Sequence, residues 1–370
     1  MNIFFDFYEI ALGKGKSIGI YNYAIHLLNA LAKQKNKNAN ITVACSEENC
    51  DVLQKIYGIS VKIISKKYPS FSQRLFWRLF KAIDSAKEEK ADIYYSPKGF
   101  SPNLFRRSKK PFIVVTVHDM IPFYYAEFYP NYFGKLESRV VPASLKKSVE
   151  VANKVITIST FSKETILRYA NPNLNIAVIY NGISSTQKEE KKVERTPPYL
   201  LAITSKLPHK NLDGIVNGYK EYRKIATDPL PLVICGIGSN DLSKYDIEDQ
   251  CISSCHFLPD SEFNNLLSNA SLLLFLPFVE GFGFPPLEAM NYGVASVVSD
   301  IPVLREVMDT SAYYVDCRDV FQIGRAIEKV LSDRSLYNNL IREGIETLSR
   351  YTWNNCAKQV MDVFEEVNKM

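Results

Sequence analysis

Glu280-Gly281-Phe282-Gly283-Phe284-Pro285-Pro286-Leu287-Glu288-Ala289-Met290 is the stretch that decides how this chain reads. It follows the apolar run from Leu272 to Leu276, which reads as a buried strand, and it leads into a helix. Two carboxylates stand eight positions apart, with two glycines between them and two prolines stiffening the turn. Glycine lets backbone amides approach an anion closely, and a helix start adds its positive dipole end. Proline favours the first helical position, which sets the helix start near Pro286. Such a turn can hold a diphosphate, while the flanking carboxylates accept hydrogen bonds from hydroxyls on either side. Diphosphate plus two polyols describes a nucleotide sugar. The same carboxylate–glycine–glycine–carboxylate order also arises in an ordinary strand–turn–helix unit.

The residue order is more specific than the chemistry. It resembles the E-x7-E signature of retaining glycosyltransferases of family 4, and the resemblance runs on from Tyr292-Gly293 through Asp300 to Glu306. It implies an α/β protein with the GT-B fold, two Rossmann-like domains facing across a cleft. It also implies that Glu280 binds sugar hydroxyls as a catalytic residue and that Glu288 binds ribose. Gly281, Phe282, Gly283 and Leu287 would line the nucleotide-sugar site.

With 370 residues the chain is long enough for two domains with proper cores. Hydrophobic and charged contents of 46% and 23% are those of a soluble globular protein. No apolar run reaches the roughly 18 residues of a membrane-spanning helix. Asn2 to Asp6 reads as a strand rather than a signal peptide, so a cytoplasmic protein is expected. The seven cysteines form no C-x-x-C pair, which suits a reducing compartment. Cys251, Cys255 and His256 cluster, but no second ligand pair stands at a spacing that suits a metal.

Charge is divided unevenly. Residues 1–185 carry 26 Lys+Arg against 14 Asp+Glu, and residues 186–370 carry 19 against 26, so +12 faces −7. One half therefore suits an anionic surface. No zinc finger, RNP motif or similar signature points to nucleic acid. An anionic membrane leaflet, attracting clustered Lys and Arg by about 1 kcal/mol each, is the other candidate.

Strand-like and helix-like segments alternate through both halves, as a doubly wound protein requires. In the first, 2–7, 41–45, 61–64, 93–95, 112–117, 155–158 and 176–179 read as strands, with helices over 18–33 and 161–169. The polar stretch 184–198 reads as a linker between domains 1–183 and 199–352. The second alternation has strands at 199–203, 232–235, 256–258, 272–276, 294–298 and 312–315, then helices over 320–332, 334–347 and 353–367. By resemblance, the last helix (residues 353–370) crosses back to the first domain.

Other constellations sit at strand exits, where open α/β sheets put their ligands. His118-Asp119-Met120-Ile121-Pro122 follows a buried strand and resembles the family's His-Asp-x-Ile/Leu-Pro segment. That implies a catalytic His118 touching the transferred sugar or supporting its developing charge, and an Asp119 that holds the loop. A histidine bonded to backbone at a strand end is the alternative. Ser205-Lys206-Leu207-Pro208-His209-Lys210-Asn211-Leu212 joins a strand to a helix. Lys210 matches the family's phosphate-binding lysine. An arginine common a few residues upstream is missing, and Lys206 stands in its place.

Gly13-Lys14-Gly15-Lys16-Ser17-Ile18-Gly19 tempts a dinucleotide reading, but the spacing is one residue too long and no acid follows at about twenty residues. Ser17-Ile18-Gly19-Ile20-Tyr21 instead resembles the family's Gly-Ile-Gly-Arg-Tyr loop, which adds Ser17 and Gly19 to the nucleotide-sugar contacts. Gly236 and Gly238 close another strand, and the loop containing Leu258 resembles the one over which the family lays its nucleobase. In Phe71–Lys81, Arg74, Arg78 and Lys81 fall on one helical face, with Phe76, Leu79, Phe80 and Ile83 on another. This suits an interfacial helix beside Trp77, or a surface helix whose apolar stripe faces the core.

The chain is thus expected to be a retaining hexosyltransferase acting on a nucleotide sugar, GDP-mannose first and UDP- or dTDP-hexoses next. Its acceptor would be a glycan or lipid-linked sugar of O-antigen or capsule synthesis. No D-x-D triad occurs, so no metal or other cofactor is expected. The alternatives are a nucleotide-sugar epimerase or hydrolase on the same scaffold, or a subunit that only binds.

Overall fold

The computed structural model describes residues 1–11, 18–34, 39–102, 109–184, 197–245 and 251–370, with backbone alone at 135 and 136. The chain forms two compact units, one of Met1–Gly182 with Tyr351–Met370, the other of Ile183–Arg350. Most of the stretch read as a linker, 185–196, lies outside the described residues, as does Ser17.

The first unit is built on a seven-stranded sheet: β1 (Asn2–Asp6), β2 (Asn40–Ser46), β3 (Ile59–Ser65), β4 (Ile93–Ser96), β5 (Phe112–Val117), β6 (Lys154–Thr157) and β7 (Ile176–Val178). Its spatial order is β3-β2-β1-β4-β5-β6-β7. The second sheet has β8 (Leu200–Ile203), β9 (Leu232–Cys235), β10 (Ile252–Cys255), β11 (Leu272–Phe275), β12 (Ser296–Ser299) and β13 (Tyr313–Val315), ordered β10-β9-β8-β11-β12-β13. Every ladder is parallel. Helices cover both faces of such sheets, so the central strands are apolar throughout: all four residues of β4 and of β11 are buried. In each sheet the order reverses once, between β1 and β4 and between β8 and β11. Ligands of open α/β sheets bind outside the carboxyl ends at that reversal.

The helix Trp353–Asn368 belongs to the first unit and packs on the helix Ile18–Lys33. Trp353 stacks on His26 with ring centroids 5.1 Å apart, Phe364 meets the edge of Tyr95 at 5.1 Å, and Glu366 pairs with Lys154 at 3.0 Å. Gly182 makes this docking possible, because a Cβ there would lie 2.2 Å from the Trp353 nitrogen.

Three expectations need correction. Residues 256–258 are not a strand; the strand is Ile252–Cys255, and Phe257 is 53% exposed. As an edge strand, β10 buries only Ile252, so its pattern is weak, while the apolar Phe257 and Leu258 lie in the loop beyond. The span between β5 and β6, read without elements, holds helices Ile121–Phe128 and Lys135–Val151, the latter continuing through Pro142. Third, residues 71–88 do not keep an α-helical period. Phe71–Phe76 and Ala82–Glu88 are α-helical, but Trp77–Lys81 winds as a π turn, which rotates all that follows. Trp77 is buried, and Arg78 turns to Glu9 at 2.8 Å. Lys81 stays exposed on a different side, so the three cations share no face. Phe76 and Phe80, 54% and 62% exposed, stand together in solvent rather than facing the core.

Candidate functional site

The reversal point of the second sheet carries the residues picked out by motif. The loop after β8 leads to Lys210, and the loop after β11 leads to Glu280. Their side chains form an ion pair, Nζ to Oε2 at 2.5 Å, with both groups only about one-fifth exposed (23% and 18%). Lys210 also lies over the Phe275 ring at 5.6 Å.

The loop holding Lys210 is fixed by backbone capture. The His209 carbonyl accepts from the Phe278 amide at 2.8 Å, and the Lys210 carbonyl accepts from Thr204 Oγ1 at 2.8 Å. Buried Asn211 does most. It takes a left-handed backbone conformation (φ 55°), and its Oδ1 caps the helix Leu212–Ile225 at the Gly214 amide (3.1 Å). Its Nδ2 donates to the carbonyls of Leu276 (3.0 Å) and Cys317 (2.8 Å), joining the loops after β8, β11 and β13. The sequence reading quoted Asn211 without assigning it a role; Asn before a helix start was the available signal. His209 is buried beside Lys210, and burial with that neighbouring charge pushes its pKa down to about 4, so the ring is neutral near pH 7.

Gly283 is the helix cap of the glycine turn. Its φ of 97° is left-handed, and a Cβ would meet Leu304 at 2.6 Å, so glycine is needed on both counts. The helix Phe284–Asn291 starts two residues before the expected Pro286, with proline in its first turn. Gly281, Phe282 and Leu287 are buried. Glu288, half-buried on this helix, has its carboxyl pushed up to about 7 by burial and then by Asp260, at the start of the helix Asp260–Asn269. Leu258, half-buried, lies two residues before Asp260. Lys206 lies apart from the Lys210–Glu280 pair. Its Nζ is 2.8 Å from Asp241, whose carboxyl also accepts from the Gly238 amide at 2.9 Å.

His118 and Asp119 lie in the first unit, at the exit of β5. His118 is buried, its Nε2 donates to the Pro97 carbonyl at 2.8 Å, and Tyr23 meets it edge-on at 4.7 Å. Burial pulls its pKa to about 4. The ring is therefore neutral, and because a carbonyl only accepts, Nδ1 is left as an acceptor. Asp119 Oδ1 accepts from the Ile121 amide at 2.9 Å and tightens the loop. Gly19, in the first turn of its helix, is exposed, and a Cβ there would meet nothing within 4 Å.

Comparison with known proteins gives the family and the fold. A family model described as "Glycosyltransferase Family 4" matches residues 19–187, and one described as "Glycosyl transferases group 1" matches residues 184–347. The O-antigen chain mannosyltransferase RfbU of Salmonella typhimurium is 28% identical, over 94% of this chain and 96% of its own. The O-antigen chain mannosyltransferase B of Escherichia coli is 27% identical over 75% of each. Sucrose-phosphate synthase of Thermosynechococcus elongatus, 15% identical, superposes with a TM-score of 0.78 over 99% of this chain and 98% of that one. The two family matches together run from residue 19 to residue 347, and the chain belongs to the group 1 and family 4 glycosyltransferases, with their GT-B fold.

Proposed function

We propose that the chain transfers a hexosyl group, mannose first among candidates, from a nucleotide sugar to a glycan or lipid-linked acceptor of O-antigen synthesis, with retention and without a metal. The Lys210–Glu280 pair, at the reversal point of the second sheet and beside the Gly283 turn, carries the reading. Lysine has three donors, so Lys210 can hold Glu280 and still offer hydrogens to a leaving diphosphate. The amides around Gly281–Gly283 and the helix start add positive field where that charge develops. Glu280 takes sugar hydroxyls. The departing diphosphate needs no divalent ion when lysine and amides share its charge. The relatives that make O-antigen support mannose and the acceptor class. A panel of nucleotide sugars read by thermal stabilisation tests this, since a bound donor raises stability by mass action. GDP-mannose should give the largest shift, and transfer should survive EDTA. No shift with any donor, or activity lost to EDTA and restored by Mn²⁺ or Mg²⁺, would overturn the donor site as drawn.

Glu288 gives a pH signature. A carboxyl titrating at about 7 is mostly protonated at pH 6 and must ionise to accept both ribose hydroxyls. Donor affinity should therefore rise about tenfold from pH 6 to pH 8, as the competent fraction grows. Calorimetry with an intact nucleotide sugar, whose diphosphate does not titrate there, measures this. Glu288→Gln should bind more weakly and show a flat profile; a flat wild-type profile would remove Glu288 from the ribose. For stability the sign is opposite. The folded carboxyl keeps its proton above the unfolded value of 4.5, so the stability present below that value is lost as pH rises through about 7.

Among the described residues no helix is long and apolar enough to cross a membrane. Peripheral contact on the cytoplasmic face is part of the proposal, through a surface other than the one expected. Phe71, Phe76 and Phe80 are each more than half exposed, and Lys66, Lys67 and Lys81 are exposed near them in sequence. Phosphatidylglycerol vesicles should co-sediment the protein at low salt and release it at high salt. Replacing Phe76 and Phe80 with serine should reduce binding. Equal binding to neutral vesicles, or none to either, would remove the membrane from the reading.

A further inference from the structure

The reversal point of the first sheet, between β1 and β4, is also occupied by charge, part of it from the Phe71–Lys81 segment. β1 ends at Asp6 and runs on to Glu9; β4 ends at Ser96 and runs on to Lys98. Three side chains converge on Glu9, and a fourth reaches it through one of them. Arg78 Nε lies 2.8 Å from its carboxylate, with only 11% and 8% of the two side chains exposed. The Glu9 carbonyl accepts from Lys98 Nζ (2.9 Å) and from the Tyr68 hydroxyl (3.2 Å), and that hydroxyl accepts from Arg74 Nη1 at 2.9 Å. Asp6, just behind, is used up by Tyr94, by Trp77 Nε1 (3.0 Å) and by the Tyr8 amide (3.0 Å). Three cations and two carboxylates, Glu9 and Asp6, therefore gather at the place where an open α/β sheet takes its ligand, with one cation in excess among the described residues.

The balance of charge and donors argues for an anion. Arg74 Nε and Arg78 Nε are buried without a hydrogen-bond partner, the second lying close to Glu9 but misaligned. A buried donor left without an acceptor is unfavourable, and an anion would supply one to each. Burial lowers the Lys98 pKa, Arg74 and Arg78 lower it further, and Glu9 and Asp6 oppose this. The π turn at Trp77–Lys81 aims Arg78 inward, and such turns often mark functional sites. Rings of Tyr68 and Phe71 lie by the Arg74 guanidinium and that of Phe100 by the Arg78 guanidinium, at 4.6–6.0 Å. Arginine forks match phosphate oxygens in two places at once.

We propose that Arg74, Arg78 and Lys98 form a second anion site that holds the phosphate or diphosphate of the acceptor. This rests on the transferase reading above for the word acceptor, but not for the anion. Phe71, 53% exposed next to Arg74, offers an apolar neighbour to the chain such a phosphate would carry, so a prenyl diphosphate is the class expected.

The test separates the two claims. In Lys210→Ala protein, which lacks the donor's phosphate lysine, inorganic pyrophosphate is titrated by calorimetry with and without Arg74→Gln/Lys98→Gln. One site weakened at least tenfold by the double change is expected. No binding, or binding that the double change leaves alone, overturns the anion site whatever the enzyme does. Farnesyl diphosphate is the second arm: tighter binding than pyrophosphate supports a lipid-linked ligand, and equal or weaker binding overturns the prenyl class. In the otherwise wild-type enzyme, Arg74→Gln/Lys98→Gln should raise the acceptor KM at least tenfold, with donor KM and thermal midpoint unchanged. An unchanged acceptor KM in protein that has lost the pyrophosphate site overturns the acceptor assignment alone. Arg78 is left in place in these variants because its removal strands buried Glu9.

Discussion

Glu280→Ala is expected to lower kcat about 10- to 100-fold while the donor KM stays level or falls. Losing a hydrogen bond between a carboxylate and a buried hydroxyl removes roughly 1–3 kcal/mol, and each 1.36 kcal/mol is about tenfold in rate. The direction of the KM effect comes from the ion pair. In this structure Glu280 and Lys210 hold one another at 2.5 Å, so the carboxylate takes one of the ammonium's three hydrogens and offsets part of the charge it offers a diphosphate. Removing it frees Lys210 for the ground-state phosphate and takes away the group that orients the sugar. Binding is kept and turnover is lost. Lys210→Ala should do the reverse to binding, raising the donor KM, because the diphosphate loses its cation and Glu280 is left without one. Steady-state kinetics at saturating acceptor separate the two. Wild-type kcat in Glu280→Ala, or a loss confined to KM, would take Glu280 out of the reaction.

Asn211→Ala is expected to lower the thermal midpoint by about 10 °C. The cap at Gly214 is worth about 1 kcal/mol. The carbonyls of Leu276 and Cys317 are left without their partner, at roughly 1–3 kcal/mol each. Alanine also tolerates φ 55° worse than asparagine. The cap and the two carbonyls together come to about 3–7 kcal/mol, and a domain of this size moves about 2–4 °C per kcal/mol, which places about 10 °C in the lower half of the range. Asn211→Asp sorts the causes, since it keeps the capping oxygen and loses both donations; it should recover only the cap's share. Activity should fall with stability, because Lys210 is the preceding residue. Calorimetric scans of the three proteins decide it, and an alanine variant as stable as the wild type would show that the three loops are held elsewhere.

Sequence alone determined the architecture, and it singled out Lys210 and Glu280, which the structure brings together at the reversal point of the second sheet. Alternation of apolar runs with helical periods marked twelve of the thirteen strands among the described residues, because strands of a buried parallel sheet are apolar on both faces and stand out from helices. The glycine turn was legible because Gly283 answers to a local need, a positive φ with Leu304 against the missing Cβ. Edge strand β10 was misplaced because it buries one residue, too few to write a pattern.

Tertiary structure decided who meets whom. Lys210 and Glu280 are 70 residues apart, and Asn211 reaches carbonyls 65 and 106 residues away. Lys206, read beside Lys210, turns instead to Asp241. A single π turn sent Trp77 and Arg78 inward and left Phe76 and Phe80 in water, against the face that an α-helical period assigns. Periodicity reports how a segment meets the core as long as its own geometry is regular. Ion pairs, loop anchors and a rotated helix depend on distances that only the folded chain sets, so they could not be read from the order of residues.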